Sequence, residues 1–205
     1  MSDNESRDKL IACARREFSE KGFAKASLRK ITSEAGLTTG AVYFFFKDKN
    51  GLFGAVVDEA LKGFMEIIHR HFTMEIQEDL TKYVHVKGDH DELAQTIVSY
   101  LYDNYDVMML LFDKAHGSEY ENVIDRIIDE LEKAYAMLAE KYAAVCPGKR
   151  VNRYMLHYMT HIQVDAFEHL LNHEPDKEKA LRIISPVMDM LITTWMGYVL
   201  EDDTD

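Results

Sequence analysis

A group of side chains between residues 29 and 49 could bind phosphate groups and the edges of nucleotide bases. The hydroxyls of Thr38 and Thr39 and the phenol of Tyr43 can donate hydrogen bonds to phosphate oxygens, and a threonine methyl can contact a thymine methyl. Arg29 is the side chain of this group that could contact O6 and N7 of guanine with two parallel bonds. Lys49 adds a positive charge for phosphate. This chemistry requires that the side chains share one surface.

Two short helical patterns, at residues 27–34 and 38–45, would position these side chains. Ser27 and Thr38 are suitable N-cap residues, because a side-chain oxygen can accept a free N–H group of the first turn. Gly36 lies where the chain must reverse, a position that favours a residue free to adopt positive φ. The spacing predicts a helix-turn-helix.

The apolar residues of this segment predict which face is buried. Two helices that cross steeply would bury a shared face, made of Ile31, Ala35, Leu37, Val42 and Phe45. The same spacing leaves the opposite side of the second helix exposed, with Thr38, Thr39, Gly40, Ala41, Tyr43 and Phe44. A helix with a small, polar N-terminal face fits the major groove of DNA.

The segment 11–53 resembles the DNA-binding domain of the TetR family of transcriptional regulators. The matching residues are Ile11, Ala14, Phe18, Gly22, Phe23, Ser27, Ile31, Ala35, Gly36, Leu37, Gly40, Val42, Tyr43, Phe46, Lys47, Lys49, Leu52 and Phe53. The resemblance implies that the second helix of the motif contacts DNA. With the residues that flank it, the predicted DNA-binding set is Ser27, Arg29, Thr38, Thr39, Gly40, Tyr43, Phe44, Lys47 and Lys49.

Phe44 and Phe45 depart from the family, which often has Tyr or His at these positions. A phenylalanine cannot form a hydrogen bond with phosphate. The spacing places Phe45 in the core. Phe44 would be an exposed apolar ring, which either packs on sugars or thymine methyls or simply lowers the affinity.

The charge of the chain is unevenly distributed. The net charge is −12, but residues 1–50 carry ten Lys or Arg and seven Asp or Glu, a net +3, whereas residues 51–205 carry fourteen and twenty-nine, a net −15. Phosphates would attract the first part and repel the second. With no long apolar run, a polar N-terminus and only Cys13 and Cys146, we expect a cytoplasmic protein with free thiols and no membrane partner.

The remaining pattern predicts an all-α fold, with a three-helix helix-turn-helix head and a larger helical ligand-binding and dimerisation body. We predict domains at 1–47 and 48–205, helices at 7–21, 48–74, 91–105, 106–114, 118–144, 150–173 and 177–200, and a loop at 81–91. Asp48 can cap the helix that connects head and body, and the last residues, 201–205, should be frayed.

The last predicted helix carries an apolar stripe too wide for a helix that merely lies on a surface. It is either a central core helix or also faces a second subunit. The resemblance implies that the last two helices form a four-helix bundle in a homodimer, with Val187, Leu191, Trp195 and Val199 at the interface.

Two patterns concern what the body could bind. Aromatic residues and methionines could line an apolar effector cavity, although a plain helical core is the commoner explanation; the predicted pocket residues are Tyr100, Tyr105, Met108, Met109, Phe112, His116 and His161. A series of polar residues, His157, His161, Asp165, His169 and His173, could suggest a metal. A step of four advances about 40° beyond a full turn, so the series cannot converge on one ion, and we predict no metal and no cofactor.

These observations predict a homodimeric repressor that a small apolar or aromatic effector releases from double-stranded operator DNA. The alternatives are a DNA-binding protein without an effector and, less favoured, a metal-responsive regulator. We do not expect an enzyme, because the sequence has no Gly-rich phosphate loop, no GxSxG and no HExxH motif.

Overall fold

A computed structural model describes residues 2–77 and 90–203, and within these ranges the fold is all-α, as predicted. The helices are α1 (Asp3–Lys25), α2 (Leu28–Glu34), α3 (Thr39–Phe46), α4 (Lys49–Gln77), α5 (His90–Asp103), α6 (Tyr105–Asp113), α7 (Val123–Val145), α8 (Arg153–His173) and α9 (Lys177–Val199). Two short strands, β1 (Lys149–Val151) and β2 (Leu200–Asp202), complete it. The predicted loop at 81–91 lies outside the described residues, except that His90 and Asp91 belong to α5.

The chain forms two compact units. The first contains Met1–Gly63 and Asn104–Val123, and the second contains Phe64–Asp103 and Ile124–Asp205. Helix α4 contributes residues to both units, and α6 belongs wholly to the first. Compact packing does not test where a functional domain ends, so the domains 1–47 and 48–205 stay a prediction.

Aromatic rings form the core of the first unit. The rings of Phe18 and Phe23 both meet Phe53 edge-on, at centroid distances of 5.0 and 5.3 Å. Tyr120 extends this cluster, with its ring 5.6 Å from that of Phe53. Such edge-to-face contacts are favourable beyond the burial of their area. They fix the start of α4 against α1.

The segment 104–123 is bound to α1 and α4 by polar contacts as well. The N–H of Phe23 donates to the carbonyl of Lys114 at 2.8 Å, and the Lys114 ammonium donates to the carbonyl of Ser19. The backbone N–H of Glu119 donates to the side chain of Asn50 at 3.0 Å, and the Tyr120 hydroxyl donates to Asp58. Residues far apart in sequence therefore complete the first unit.

In the second unit, helices α5, α7, α8 and α9 share an apolar interior. One cluster joins α5, α8 and α9 and includes Ala94, Leu170 and Ile184. Another joins α7, α8 and α9 around Trp195, whose ring lies 5.9 Å from that of Tyr135. Helix α9 is thus buried against its own chain along much of its length.

Strands β1 and β2 form an antiparallel pair that the sequence did not predict. Arg150 pairs with Glu201 in the strand register, and their side chains form an ion pair at 2.9 Å. Lys149 forms a second ion pair with Asp202 at 2.6 Å. The prediction that residues 201–205 are frayed is therefore wrong for Glu201 and Asp202, because backbone pairing and side-chain charges both hold them.

Candidate nucleic-acid interface

The turn between α2 and α3 has the geometry that its sequence predicts, except for the expected side-chain cap at Thr38. The Ser27 hydroxyl accepts the N–H of Lys30 at 3.3 Å and so caps α2. Gly36 adopts a φ of 69°, and the following N–H, of Leu37, donates to the carbonyl of Thr32 at 2.8 Å. Thr38 occupies the N-cap position of α3, but its side chain makes no capping hydrogen bond. Thr38 itself is exposed.

The shared buried face differs from the prediction at Leu37, which is only half-buried, and at one aromatic residue. Ile31, Ala35 and Val42 are buried, as expected. Phe46 is buried as well, whereas Phe45 is only half-buried. The prediction that Phe45 is the core residue is therefore wrong. Residues four apart lie on the same helix face, so Phe46 shares the buried face of Val42, whereas Phe45 lies to one side of it.

The opposite face of α3 is exposed. Thr38, Thr39 and Gly40 are exposed there, with Tyr43 60% and Phe44 74% exposed. Ala41, which was also expected to be exposed, is half-buried. The ring of Phe44 contacts that of Phe45 edge-on, with centroids 4.8 Å apart. These residues therefore present a small and polar first turn followed by two aromatic rings.

A buried carboxylate positions α2. Glu17 of α1 is only 3% exposed, and its Oε1 accepts the backbone N–H of Ser27 at 3.1 Å. Its Oε2 lies 2.6 Å from the ammonium of Lys30. The hydrogen bond from Lys30 and that from Ser27 hold the pKa of Glu17 below its ordinary value, against the effect of burial. Sequence analysis missed this residue, although a Glu next to Phe18 in the apolar stripe of α1 was a signal.

The basic residues that were predicted to contact DNA differ in their exposure and in their contacts within the protein. The side chains of Arg29 and Lys47 are exposed. Lys49, in contrast, lies 4.7 Å over the ring of Phe23 and donates to the carbonyl of Ala24 at 3.3 Å. Burial lowers the pKa of Lys49. The ammonium of Lys49 thus already has partners within the protein, and its role in binding phosphate stays a prediction.

An open groove of about 600 Å³ lies beside the exposed face of α3. Arg7 of α1 lines it together with Tyr43, Phe44, Phe45 and Phe46. The guanidinium of Arg7 lies 5.5 Å from the centre of the Phe46 ring. Lys47, Gly51, Ala55 and the acidic Asp58 line the same groove, so basic, aromatic and acidic side chains meet there. Asp48 caps α4, as predicted, by accepting the Gly51 N–H at 2.9 Å.

The predicted effector residues fall in both compact units. Tyr105, Met108, Met109, Phe112 and His116 belong to the first, and Tyr100 and His161 belong to the second. Met108 is fully buried, whereas His116 is exposed beside Glu121. This set stays a prediction.

Two buried polar atoms in the second unit were missed by sequence analysis. Within the described ranges, Gln163 Oε1 and Trp195 Nε1 are buried and have no hydrogen-bond partner. An unpaired buried polar group costs about 1–3 kcal/mol, so each atom would gain from a polar partner. Trp195 belongs to the same cluster as Met159 and Ile162 of α8, which precede Gln163 by four residues and by one.

The predicted dimer residues lie largely in the core of their own chain. Leu191, Trp195 and Val199 are buried, with Trp195 only 6% exposed. Val187 is half-buried against the α5–α8–α9 cluster. The last two helices, α8 and α9, also have exposed large apolar side chains. These are Tyr154 and Tyr158 of α8 and Ile183, Met190 and Tyr198 of α9. The interface of the predicted dimer stays untested.

The histidine series of α8 forms two separate pairs. The rings of His157 and His161 lie 4.6 Å apart, and those of His169 and His173 lie 4.3 Å apart. His157 also contacts Glu132 of α7 at 2.7 Å. Across residues 2–77 and 90–203, no group of three or more His, Cys, Asp or Glu side chains is placed to hold one metal ion. No helix in those ranges is long and apolar enough to cross a membrane.

Comparison with families and curated proteins supports the predicted resemblance. Residues 10–56 match the bacterial regulatory proteins of the tetR family. The chain is 42% identical over 52 residues to the HTH-type transcriptional regulator AcrR of Shigella flexneri, covering 25% of this chain and 24% of that protein. It is 30% identical over 88 residues to the HTH-type transcriptional repressor AcnR of Corynebacterium diphtheriae, covering 43% and 45%. The chain thus matches about a quarter of the length of the first relative and just under half of the length of the second.

Solved structures resemble nearly the whole chain in fold. A transcriptional regulator from Aquifex aeolicus has a TM-score of 0.62 at 17% identity, with 91% of this chain and 99% of that chain covered. SmeT of Stenotrophomonas maltophilia, the repressor of a multidrug efflux pump, has a TM-score of 0.59 at 19% identity, with 96% and 91% covered. At such identities the likeness concerns the fold alone.

Proposed function

We propose that this chain, a TetR-family protein by its DNA-binding domain at residues 10–56, is a transcriptional repressor. It binds operator DNA through α3. The observation that carries the proposal is the exposed face of α3, where Thr38, Thr39 and Gly40 precede Tyr43. A helix enters the major groove with its N-terminal residues against the base edges. The small first turn of α3 allows that approach.

Each exposed side chain has a distinct role in the proposed complex. Arg29 contacts a guanine through O6 and N7, while Thr38 and Thr39 contact base edges or phosphate. Tyr43 donates its hydroxyl to a phosphate oxygen, and Lys47 neutralises phosphate charge. The Ser27 hydroxyl already accepts the Lys30 N–H, so its part is to hold the start of α2, the helix that carries Arg29.

The protein would act as a homodimer. One short helix contacts too few base pairs for useful specificity, and two-fold symmetric half-sites lie about 34–36 Å apart. Because Trp195 and Leu191 are already buried in the chain, we assign the interface to the exposed residues Ile183, Met190 and Tyr198 of α9. Their spacing of seven and eight residues places them on one stripe of the helix.

The effector would be a small apolar or aromatic molecule that lowers the affinity for DNA. Helix α6, which carries the predicted pocket residues Met109 and Phe112, is hydrogen-bonded to α1 through Lys114. A ligand that shifted α6 would therefore disturb the unit that holds α3.

The first experiment selects the DNA that the purified protein retains from a random pool and measures binding by fluorescence anisotropy. We expect a palindromic site, bound far more tightly than random DNA of equal length. A matched variant, Thr39→Val, keeps the shape of the side chain and removes its hydroxyl, so it should weaken the selected site. Equal affinity for selected and random DNA would contradict the proposal.

The second experiment tests the effector. Trp195 is the only tryptophan of the chain, so its fluorescence would report ligands that bind near it. A ligand with a 100-fold preference for the DNA-free state provides about 2.7 kcal/mol of coupling. Reciprocity requires that operator DNA weaken the binding of that ligand by the same factor. Ligand affinities that are unchanged by operator would instead favour a DNA-binding protein without an effector.

A further inference from the structure

Phe44 is the most exposed large apolar residue of α3, and the helix geometry explains why. Successive residues of a helix are about 100° apart, which places Phe44 about 200° from both Val42 and Phe46. Those two residues are buried, while Phe44 is 74% exposed. The ring therefore points away from the protein core, on the side of α3 that faces the proposed DNA.

The ring is held in place although it is exposed. Phe45, which is half-buried, meets it edge-on at a centroid distance of 4.8 Å and an interplanar angle of 78°. Phe45 in turn contacts the buried ring of Phe46 at 6.1 Å. A side chain supported in this way loses less conformational freedom when it binds a partner.

Gly40 leaves space beside the ring. It precedes Phe44 by four residues, so the two residues lie on the same exposed face of α3. A Cβ added at Gly40 would meet only the Thr38 hydroxyl within 4 Å, at 3.5 Å. The exposed face of α3 thus has a notch bounded by an aromatic ring, at a place where a base edge could enter.

The chemistry of the ring restricts what can fill this notch. A phenyl ring neither donates nor accepts a strong hydrogen bond, so it gains nothing from phosphate or from the polar base edges. The major groove presents one apolar group, the C5 methyl of thymine. Exposed basic side chains, Arg29 and Lys47, lie in the same motif and suit the charge of DNA. We propose that Phe44, with the notch at Gly40, recognises the methyl group of one thymine in each half-site.

This inference rests on the proposed function, because it requires that α3 enters the major groove. Its test uses the selected operator with each thymine replaced in turn, in both half-sites, by deoxyuridine, which lacks only the methyl group. Burial of one methyl contributes about a fourfold change in affinity, so replacement at both half-sites should weaken binding of the wild-type dimer about fifteenfold at one position. Replacement of the other thymines should have a smaller effect.

Two variants identify the residue responsible. Phe44→Ala should bind the thymine and uracil operators with equal affinity, and its thermal melting should match the wild type, since the side chain is exposed. Tyr43→Phe removes a neighbouring hydroxyl but leaves Phe44 intact, so it should keep the full uracil effect. The quantity compared is the ratio of the two dissociation constants for each protein.

The outcomes separate this inference from the proposed function. If the protein selects an operator but no thymine methyl matters, or if Phe44→Ala keeps the uracil effect, the assignment to Phe44 is wrong while the repressor remains. If the protein retains no specific DNA at all, the proposed function fails first. A uracil effect at one position per half-site that disappears only in Phe44→Ala supports the inference.

Discussion

Helices α3 and α9 both expose large apolar side chains, but the surroundings of those side chains differ. On α3, Tyr43 and Phe44 are adjacent, follow a small polar turn and have the exposed Lys47 close in sequence. On α9, Ile183 and Met190 are two turns apart on one stripe. The first arrangement suits a charged partner with a few apolar groups, and the second suits another helix.

The two helices also differ in what holds them. Helix α3 follows α2, which Glu17 positions through a buried ionic contact. Helix α9 is held by apolar contacts, with Leu191 and Trp195 in two separate clusters of the second unit. Exposed apolar residues are therefore interpretable only when the buried side of the same helix is known.

The largest expected effect distinguishes the two sides of α9. Trp195→Glu would place a charge in an apolar cluster and should cost several kcal/mol of stability, enough to unfold the second unit. Met190→Glu, at a position that is 59% exposed, should leave the protein folded and convert the dimer to monomer. Thermal melting and sedimentation velocity measure the two results. A Trp195→Glu protein that is folded but monomeric would instead show that the buried stripe around Trp195 forms the dimer interface.

The next effect tests the ionic contact beneath α3. Glu17→Gln should lower the free energy of unfolding by about 1.5–3 kcal/mol, because hydrogen bonds to a charged group are lost. The pKa of Glu17 is lowered in the folded protein, so its stabilisation is present above the unfolded pKa and is lost as the pH falls. Urea unfolding between about pH 3 and pH 6 should therefore show a shallower pH dependence in the variant than in the wild type.

Glu20→Gln is the matched control for that experiment. Glu20 also contacts Lys30, at 3.3 Å, but its side chain is 59% exposed. An exposed ion pair contributes about 0–1 kcal/mol, so this variant should differ little from the wild type. Equal losses in both variants would show that the burial of Glu17 is irrelevant to its contribution.

A third effect separates base contact from phosphate contact near α3. Arg29→Ala should cost about 1–3 kcal/mol on the selected operator and relax the preference at one base pair per half-site. Lys47→Ala should weaken all DNA sequences alike and reduce the salt dependence by about one ion per half-site. Anisotropy titrations at several salt concentrations measure both. Lys49→Ala completes the series, and a loss of protein stability without a changed salt dependence would confine Lys49 to packing on Phe23.

The smallest effect concerns two glycines that flank the start of α3. Gly36 has a φ of 69°, so Gly36→Ala should cost about 1–2 kcal/mol of stability, although nothing lies within 4 Å of the added Cβ. Gly40 is helical, so Gly40→Ala should stabilise the protein by about 0.5–1 kcal/mol while it weakens DNA binding. Thermal melting and anisotropy measure these changes. Opposite signs for stability and affinity at Gly40 would sharpen the assignment of this face to DNA.

The local features of the first unit were predictable because they depend on a few neighbouring residues. Ser27 and Asp48 cap helices, and Gly36 has positive φ, as their residue types indicate. The choice between Phe45 and Phe46 was not predictable, because it depends on the angle at which α2 crosses α3. A shift of one residue in an apolar run changes which ring is buried.

Long-range features were beyond the sequence. The apolar stripe of α9 indicates burial but does not distinguish the chain's own core from a partner. The assignment of Trp195 to the dimer interface therefore stays a prediction until a dimer is measured. The contact between Phe23 and Lys114 links residues 91 positions apart, and no local pattern specifies it. Strand β2 has only three residues, too few for an alternation signal.

The pairing of β1 with β2 has a mechanical consequence for α8 and α9. The two helices are joined at one end by the turn 174–176, and at the other end the Asn152 N–H donates to the carbonyl of Val199 at 2.8 Å. The Asn152 side chain caps α8 and also donates to Glu201 at 2.6 Å. Because α8 and α9 are antiparallel and connected at both ends, neither helix can slide along the other without breaking one of these connections. The positions of Tyr154 on α8 and of Tyr198 on α9, measured along the helix axes, are consequently fixed relative to each other.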